Sequence, residues 1–228
     1  MPTVSRANGD QRLKDGGDSD FDLATVDRLL TTTRSVRRRL DFTKPVPENV
    51  IIECLELATQ APTAGDAQNW RWVGVADADT QRAIADIYRL DNEEFARSQV
   101  ANLQDGAERR RMESVLYLIE HLHEVPMHVL AYVLDPQLVG LAGQPPPPPV
   151  LYGSIFPAVW SFQLALRSRG LGTTPLYVAD EAAVGQVVGA PNGAHLASLL
   201  PVAYYTGKSF KGAPRLPVRD VLSWNRWR

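Results

Sequence analysis

Apolar positions recur every three to four residues over several stretches, and each such stretch predicts a helix. Leu23, Val26 and Leu30 mark a first helix over 21–33. Ile51, Leu55 and Ala58 form the stripe of a second, which opens at Pro47 with Glu48 favourable to its dipole. Residues 78–123 read as mostly helical but charge-laden, with a weak apolar stripe around 91–111. From Tyr152 to Arg169, Ile155, Val159, Phe162 and Leu166 share one face. Trp160 and Leu164 add apolar surface on another side, so this helix is expected to be buried nearly all round.

Continuous apolar runs mark strands instead. "WRWVGVA", "PMHVLAYVL" and "LASLLPVAYY" read as strands, the second apolar enough to be buried on both faces, and "GLGTTPLYV" as a turn and strand. A short helix, "EAAVGQVVG", lies between the last two. Helices and about four strands without regular alternation predict an α+β fold, one mostly antiparallel sheet flanked by helices.

The polar, Gly- and Asp-rich residues 1–20 are expected to be a disordered tail, with one domain over 21–228. A run of five prolines predicts a stiff polyproline II connector at 144–150. The charged span 91–124 reads as a lid-like excursion from the core.

The 228 residues carry 24 Lys and Arg against 26 Asp and Glu, a net charge of −2 that disfavours a dedicated nucleic-acid binder. A single cysteine, Cys54, excludes an internal disulfide and suits a reducing compartment; mid-helix, it reads as inert. No apolar run long enough to span a bilayer is read, and the expected setting is cytoplasmic, without a membrane.

Against this balance, "RSVRRR" places four arginines between positions 34 and 39, either a nucleic-acid patch or a pocket for a small anion. "GLGTTPL" lacks the third glycine of a dinucleotide fingerprint. His121 and His123 point about 200° apart on a helix, so no shared metal is expected, and the histidines read as surface residues. Ser154 lacks a nucleophile elbow. Without a strong protein nucleophile, attention moves to cofactor chemistry.

Four segments, taken in order, resemble one family. "TRSVRRRLDFTKPVP", "APTAGDAQNWRWVGV", "GLGTTPL" and "LLPVAYYTGKS…PRLPVRDVLSWNRW" are similar to the motifs of the FMN-dependent nitroreductases, over about residues 22–228. The resemblance implies a homodimer with exchanged C-terminal arms, an FMN at each interface site, and ping-pong transfer from NAD(P)H to a small-molecule acceptor such as a nitroaromatic or quinone. It assigns Arg34, Ser35, Arg37 and Arg38 to the FMN phosphate, joined by Arg215, with Lys208 and Lys211 as alternatives to Arg215. Pro62, Thr63, Ala64 and Gln68 would line the isoalloxazine from the partner subunit. Thr173 and Thr174 match the branch containing iodotyrosine deiodinase, where a threonine reaches flavin N5. Tyr152, Gly153 and Ser154 would edge the pocket. The alternatives are a deiodinase-like or flavin-cleaving member and, outside enzymes, a basic-patch nucleic-acid or adaptor protein.

Overall fold

In the computed structural model, residues 21–139 and 148–227 are described, so the tail expected at 1–20 and residues 144–147 of the proline run lie outside the described residues. The chain forms α1 (Leu23–Thr32), α2 (Glu48–Ala58), β1 (Trp70–Val75), α3 (Ala78–Asn102), α4 (Ala107–His121), β2 (Met127–Leu134), α5 (Pro148–Ser168), β3 (Leu171–Gly172), α6 (Glu181–Val188), β4 (Ala194–Tyr204) and α7 (Val218–Val221).

The four strands make one antiparallel sheet in the order β1-β2-β4-β3. Strand β2, buried along its whole length, shows why both faces must be covered. Met127, Val129, Ala131 and Val133 point into a core shared with α2 and α5. Leu130 and Tyr132, on the alternate face, join a second core with α3, α4 and α6. Ala131 pairs with Ser198 and Tyr132 with Leu196, leaving Ala197 as the extra residue of a bulge. That slip explains why Leu196 and Leu199 face one core while Ala197 and Leu200 face the other.

Helix starts follow their caps. Asp22, Asp77 and Asp180 each accept a hydrogen bond from a backbone N–H in the first turn of α1, α3 and α6. In α2 the buried stripe is Ile51, Cys54 and Ala58, with Leu55 half-buried. The Cys54 thiol is fully enclosed and burial raises its pKa, as an inert core residue requires.

Several sequence expectations are corrected. Helix α5 is not buried all round: Phe156 and Trp160 are 47% and 43% exposed while Ile155, Val159 and Phe162 pack inward. The proline run does not stay a connector to residue 150, because α5 already begins at Pro148, and prolines need no N–H in a first turn. Among the described residues one helix, Pro149–Ser168, is long and apolar enough to cross a bilayer by length and composition; here its apolar face covers the sheet. The span 91–124 is not free of the core, since Ala96, Leu118, Ile119 and Leu122 are buried. Nor are the histidines all superficial, because His128 on β2 is fully buried. "GLGTTPLYV" is strand only at Leu171–Gly172, followed by an isolated bridge from Leu176 to Leu199.

Candidate functional site

The arginine segment is strapped onto the end of the sheet. The Val36 amide donates to the Thr173 carbonyl at 3.0 Å, that of Asp41 to Tyr204 at 2.7 Å and that of Thr206 to Arg39 at 2.8 Å. Contact is so close that a Cβ on Gly172 would stand 2.9 Å from Val36, so only glycine admits the strap there.

This strap separates the four guanidiniums. Arg38 faces Glu113 on α4 at 3.8 Å and lies over the Tyr117 ring. Arg39 donates to the carbonyls of Thr206 and Ser209 and stacks on Phe210 at 3.9 Å, holding the root of the C-terminal segment. Neither arrangement belongs to a continuous basic patch. The side chains of Arg34 and Arg37, and the Ser35 hydroxyl, have no hydrogen-bond or ion-pair partner among the described residues. Burial lowers the Arg37 pKa. Arg37 lines a cavity of about 210 Å³ with Tyr88, Asn92, Val115, Leu118, Pro175 and Tyr177, among others. Helices α3 and α4 thus wall a space that opens beside the 173–175 turn.

Thr173 and Thr174, 3% and 1% exposed, lie in that turn. Neither hydroxyl has a partner. An unmet buried hydroxyl costs about 1–3 kcal/mol, so two adjacent ones leave an unmet polar demand at this turn, next to the cavity that Pro175 and Tyr177 line. Arg215 is exposed and donates only to the Pro214 carbonyl; Lys211 is exposed too. The segment carrying Arg215 passes the end of α1, where Gly212 lies against the Thr31 carbonyl. Lys208 turns elsewhere, into a cleft beside Arg28 and Arg167.

The loop 61–68 stands apart from this cluster. Ser154 on α5 accepts from the Ala64 amide at 3.2 Å and donates to the Val150 carbonyl, so it positions the loop. Thr63 accepts from the Gln68 amide, and the Gln68 side chain donates to Asp66. Asp66 and Gln68 hold positive φ of 52° and 45°, a strained backbone of the kind kept at functional loops. Pro62, Ala64 and Gln68 are exposed. Tyr152 stacks on Phe156 nearby, and Gly153 is exposed.

Asn69, whose role sequence reasoning did not resolve, is a buried clamp. Its carbonyl accepts from the Leu134 amide and its side-chain amide donates to the Leu134 carbonyl, both at 2.7 Å. The loop therefore enters the sheet at Trp70, level with Val133 and His195. Gly172 pairs with Ala203, at the other end of β4. At ~3.3 Å per residue the eight residues from His195 to Ala203 put the two groups roughly 25 Å apart along the strand direction.

Sequence reasoning missed Tyr88 and Asn92, which no motif flags; their signal is position, on the inward face of α3 one turn apart.

Comparison with known proteins places the chain in a family. Residues 30–204 match the model of the nitroreductase family. A curated NADH dehydrogenase of Thermus thermophilus is 28% identical over 207 residues, covering 84% of this chain and 91% of that protein. An iodotyrosine deiodinase of Thermotoga neapolitana is 26% identical over 193 residues, covering 85% and 94%. The crystal structure of an oxidized iodotyrosine deiodinase bound to FMN and 3-iodo-L-tyrosine shares the fold, with a TM-score of 0.67 at 24% identity over 89% of this chain and 99% of that one. With a family match running from the arginine segment to the end of β4, the chain belongs to the nitroreductase family.

Proposed function

We propose that this protein is an FMN-dependent NAD(P)H oxidoreductase that works as a homodimer on nitroaromatic, quinone or related acceptors. The observation that carries the reading is the pair of buried, unpartnered hydroxyls on Thr173 and Thr174, stitched to a segment whose Arg34 and Ser35 are unengaged. That donor set fits a polar ring bearing a phosphate. When bound, FMN supplies the two-electron chemistry, taking hydride from NAD(P)H and passing the electrons to an acceptor.

The chain's own residues then bind and orient. Arg34 and Ser35 hold the phosphate, with Arg215 brought in by the C-terminal segment; guanidinium geometry matches a phosphate in bidentate fashion. A threonine hydroxyl of the 173–174 turn donates to the ring, a fixed dipole set where charge develops on reduction. Arg37 adds positive potential at the wall formed by Tyr88 and Asn92. Because loop 61–68 lies roughly 25 Å along the sheet from this turn, its contribution comes from the partner subunit. The exposed apolar residues Ile52, Leu57, Phe156 and Trp160 supply a surface for that subunit.

Steady-state oxidation of NADH and NADPH with nitrobenzoate-type and quinone acceptors tests the reading. Parallel double-reciprocal lines are expected, as for a ping-pong enzyme. Absence of acceptor-dependent oxidation by flavin-loaded protein would overturn it. The deiodinase relative supports a second reading; preferential turnover of 3-iodo-L-tyrosine over nitroaromatics would put it first.

A further inference from the structure

Helix α1 turns Thr25, Arg28, Leu29 and Thr32 toward the end of α5 and the root of the C-terminal segment. Together they enclose a cleft of about 430 Å³, which Arg34, Thr174 and Arg215 do not line. Three cations border it, Arg28, Arg167 and Lys208, and no carboxylate does. None of the three is in an ion pair among the described residues. Behind them Arg39 and Arg167 both stack on Phe210, adding a fourth positive charge without a counter-ion. The Arg167 side chain donates to the Tyr205 hydroxyl, while its Nε and the Nη2 of Arg39 are buried without partners.

Arg28 and Lys208 are exposed and Arg167 is half-buried; Asp22, at the start of α1, partly offsets Arg28, and the cleft still carries an excess of positive charge that attracts an anion. The neighbouring hydroxyls are mostly engaged: Thr25 donates to Asp22, Thr32 to the Arg28 carbonyl and Ser168 to the Ala165 carbonyl. Recognition therefore falls to the cations. The cleft is of a size that holds a small organic ligand as well as its charged group.

We propose that this cleft is a second anion site, separate from the flavin site, that takes a phosphate monoester. Two or three cationic side chains converging on one space are the donor set a phosphate dianion requires. Inorganic phosphate and the phosphate of a nucleotide share that chemistry.

Isothermal titration of full-length, FMN-saturated protein at low salt, with inorganic phosphate, 2′,5′-ADP and adenosine in turn, tests it. Both phosphates should bind and adenosine should not. Arg28→Ala should weaken binding by about tenfold, on the scale of one charge-assisted contact, and Arg28→Lys should recover most of it. FMN content should be unchanged in both variants. Tighter binding of 2′,5′-ADP than of phosphate assigns the site to a nucleotide, and equal affinities assign it to the free ion; either upholds the anion site. Three results would overturn it: no phosphate binding at about millimolar concentration, unchanged affinity in Arg28→Ala, or loss of phosphate binding whenever FMN is saturating. This inference does not rest on the flavin reading, since colourless protein that binds phosphate through Arg28 would sink that reading alone.

Discussion

Arg34 has no side-chain partner among the described residues and exposed Arg215 bonds only its neighbour's carbonyl, that of Pro214, so removing either should change ligand binding rather than folding. Arg34→Ala and Arg215→Ala are each expected to weaken FMN retention by about 1.5–3 kcal/mol, the worth of a hydrogen bond to a charged group. Flavin content after gel filtration, with unfolding midpoints beside it, checks this; full flavin in both variants would show the phosphate to be held elsewhere. His128 has the opposite character. Its Nε2 pairs with the Leu122 carbonyl at 2.9 Å, its Nδ1 is unpartnered, and burial lowers its pKa from 6.5 to about 4. The folded protein thus binds fewer protons here than the unfolded chain between those values. Stability from this residue is complete above pH 6.5 and should fall by roughly 1.4 kcal/mol per pH unit as pH drops toward 4. In His128→Leu that acid limb of the urea midpoint should flatten; an unchanged slope would exclude His128 as its cause.

Among the elements, the junction of the arginine strap with β3 should be the least tolerant of added volume. Gly172→Ala places a methyl 2.9 Å from Val36 and is expected to cost about 1–3 kcal/mol with loss of flavin. Combining it with Val36→Ala should restore part of both, and a strictly additive double variant would place the strain elsewhere. The 91–124 span, half core and half cavity wall, is expected to set acceptor choice. Asn92→Leu should shift the ratio of kcat/KM between two acceptors by about threefold or more, with FMN content unchanged. Ratios that stay within about 1.5-fold would remove α3 from specificity.

These elements also show what a chain reveals before it folds. Periodicity found the helices and the buried β2, because each buries a face that its own residues must supply. It misjudged α5, since Trp160 and Phe156 are apolar for a surface that one chain does not cover. Order of motifs linked the arginine segment to the 173–174 turn, and the fold ties the two segments by the bond from the Val36 amide to Thr173. What stayed hidden was long-range: that Arg38 meets Glu113, that Arg39 clamps the C-terminal segment, and that Asn69 closes β1 onto Leu134. Each is a contact between residues far apart in sequence, where local spacing carries no information.

Over the whole molecule, the unsatisfied feature is apolar. Leu216, Val218, Val221, Trp224 and Trp227 are exposed along the C-terminal segment, as are Phe21 and Leu30 on and beside α1. So much bare surface predicts that 216–228 packs on a second copy. Truncation after 215 should give aggregating, flavin-poor protein, and a soluble flavin-loaded monomer by light scattering would refute the exchange of arms. The central claim is tested most directly by one spectral titration: purified protein, supplied with FMN and freed of excess, titrated anaerobically with NADPH and with NADH. The account predicts a band near ~450 nm at one flavin per chain that bleaches with about one equivalent of reduced nucleotide and returns on adding a nitroaromatic. Protein that retains no FMN, or whose bound flavin neither nucleotide reduces, would contradict it.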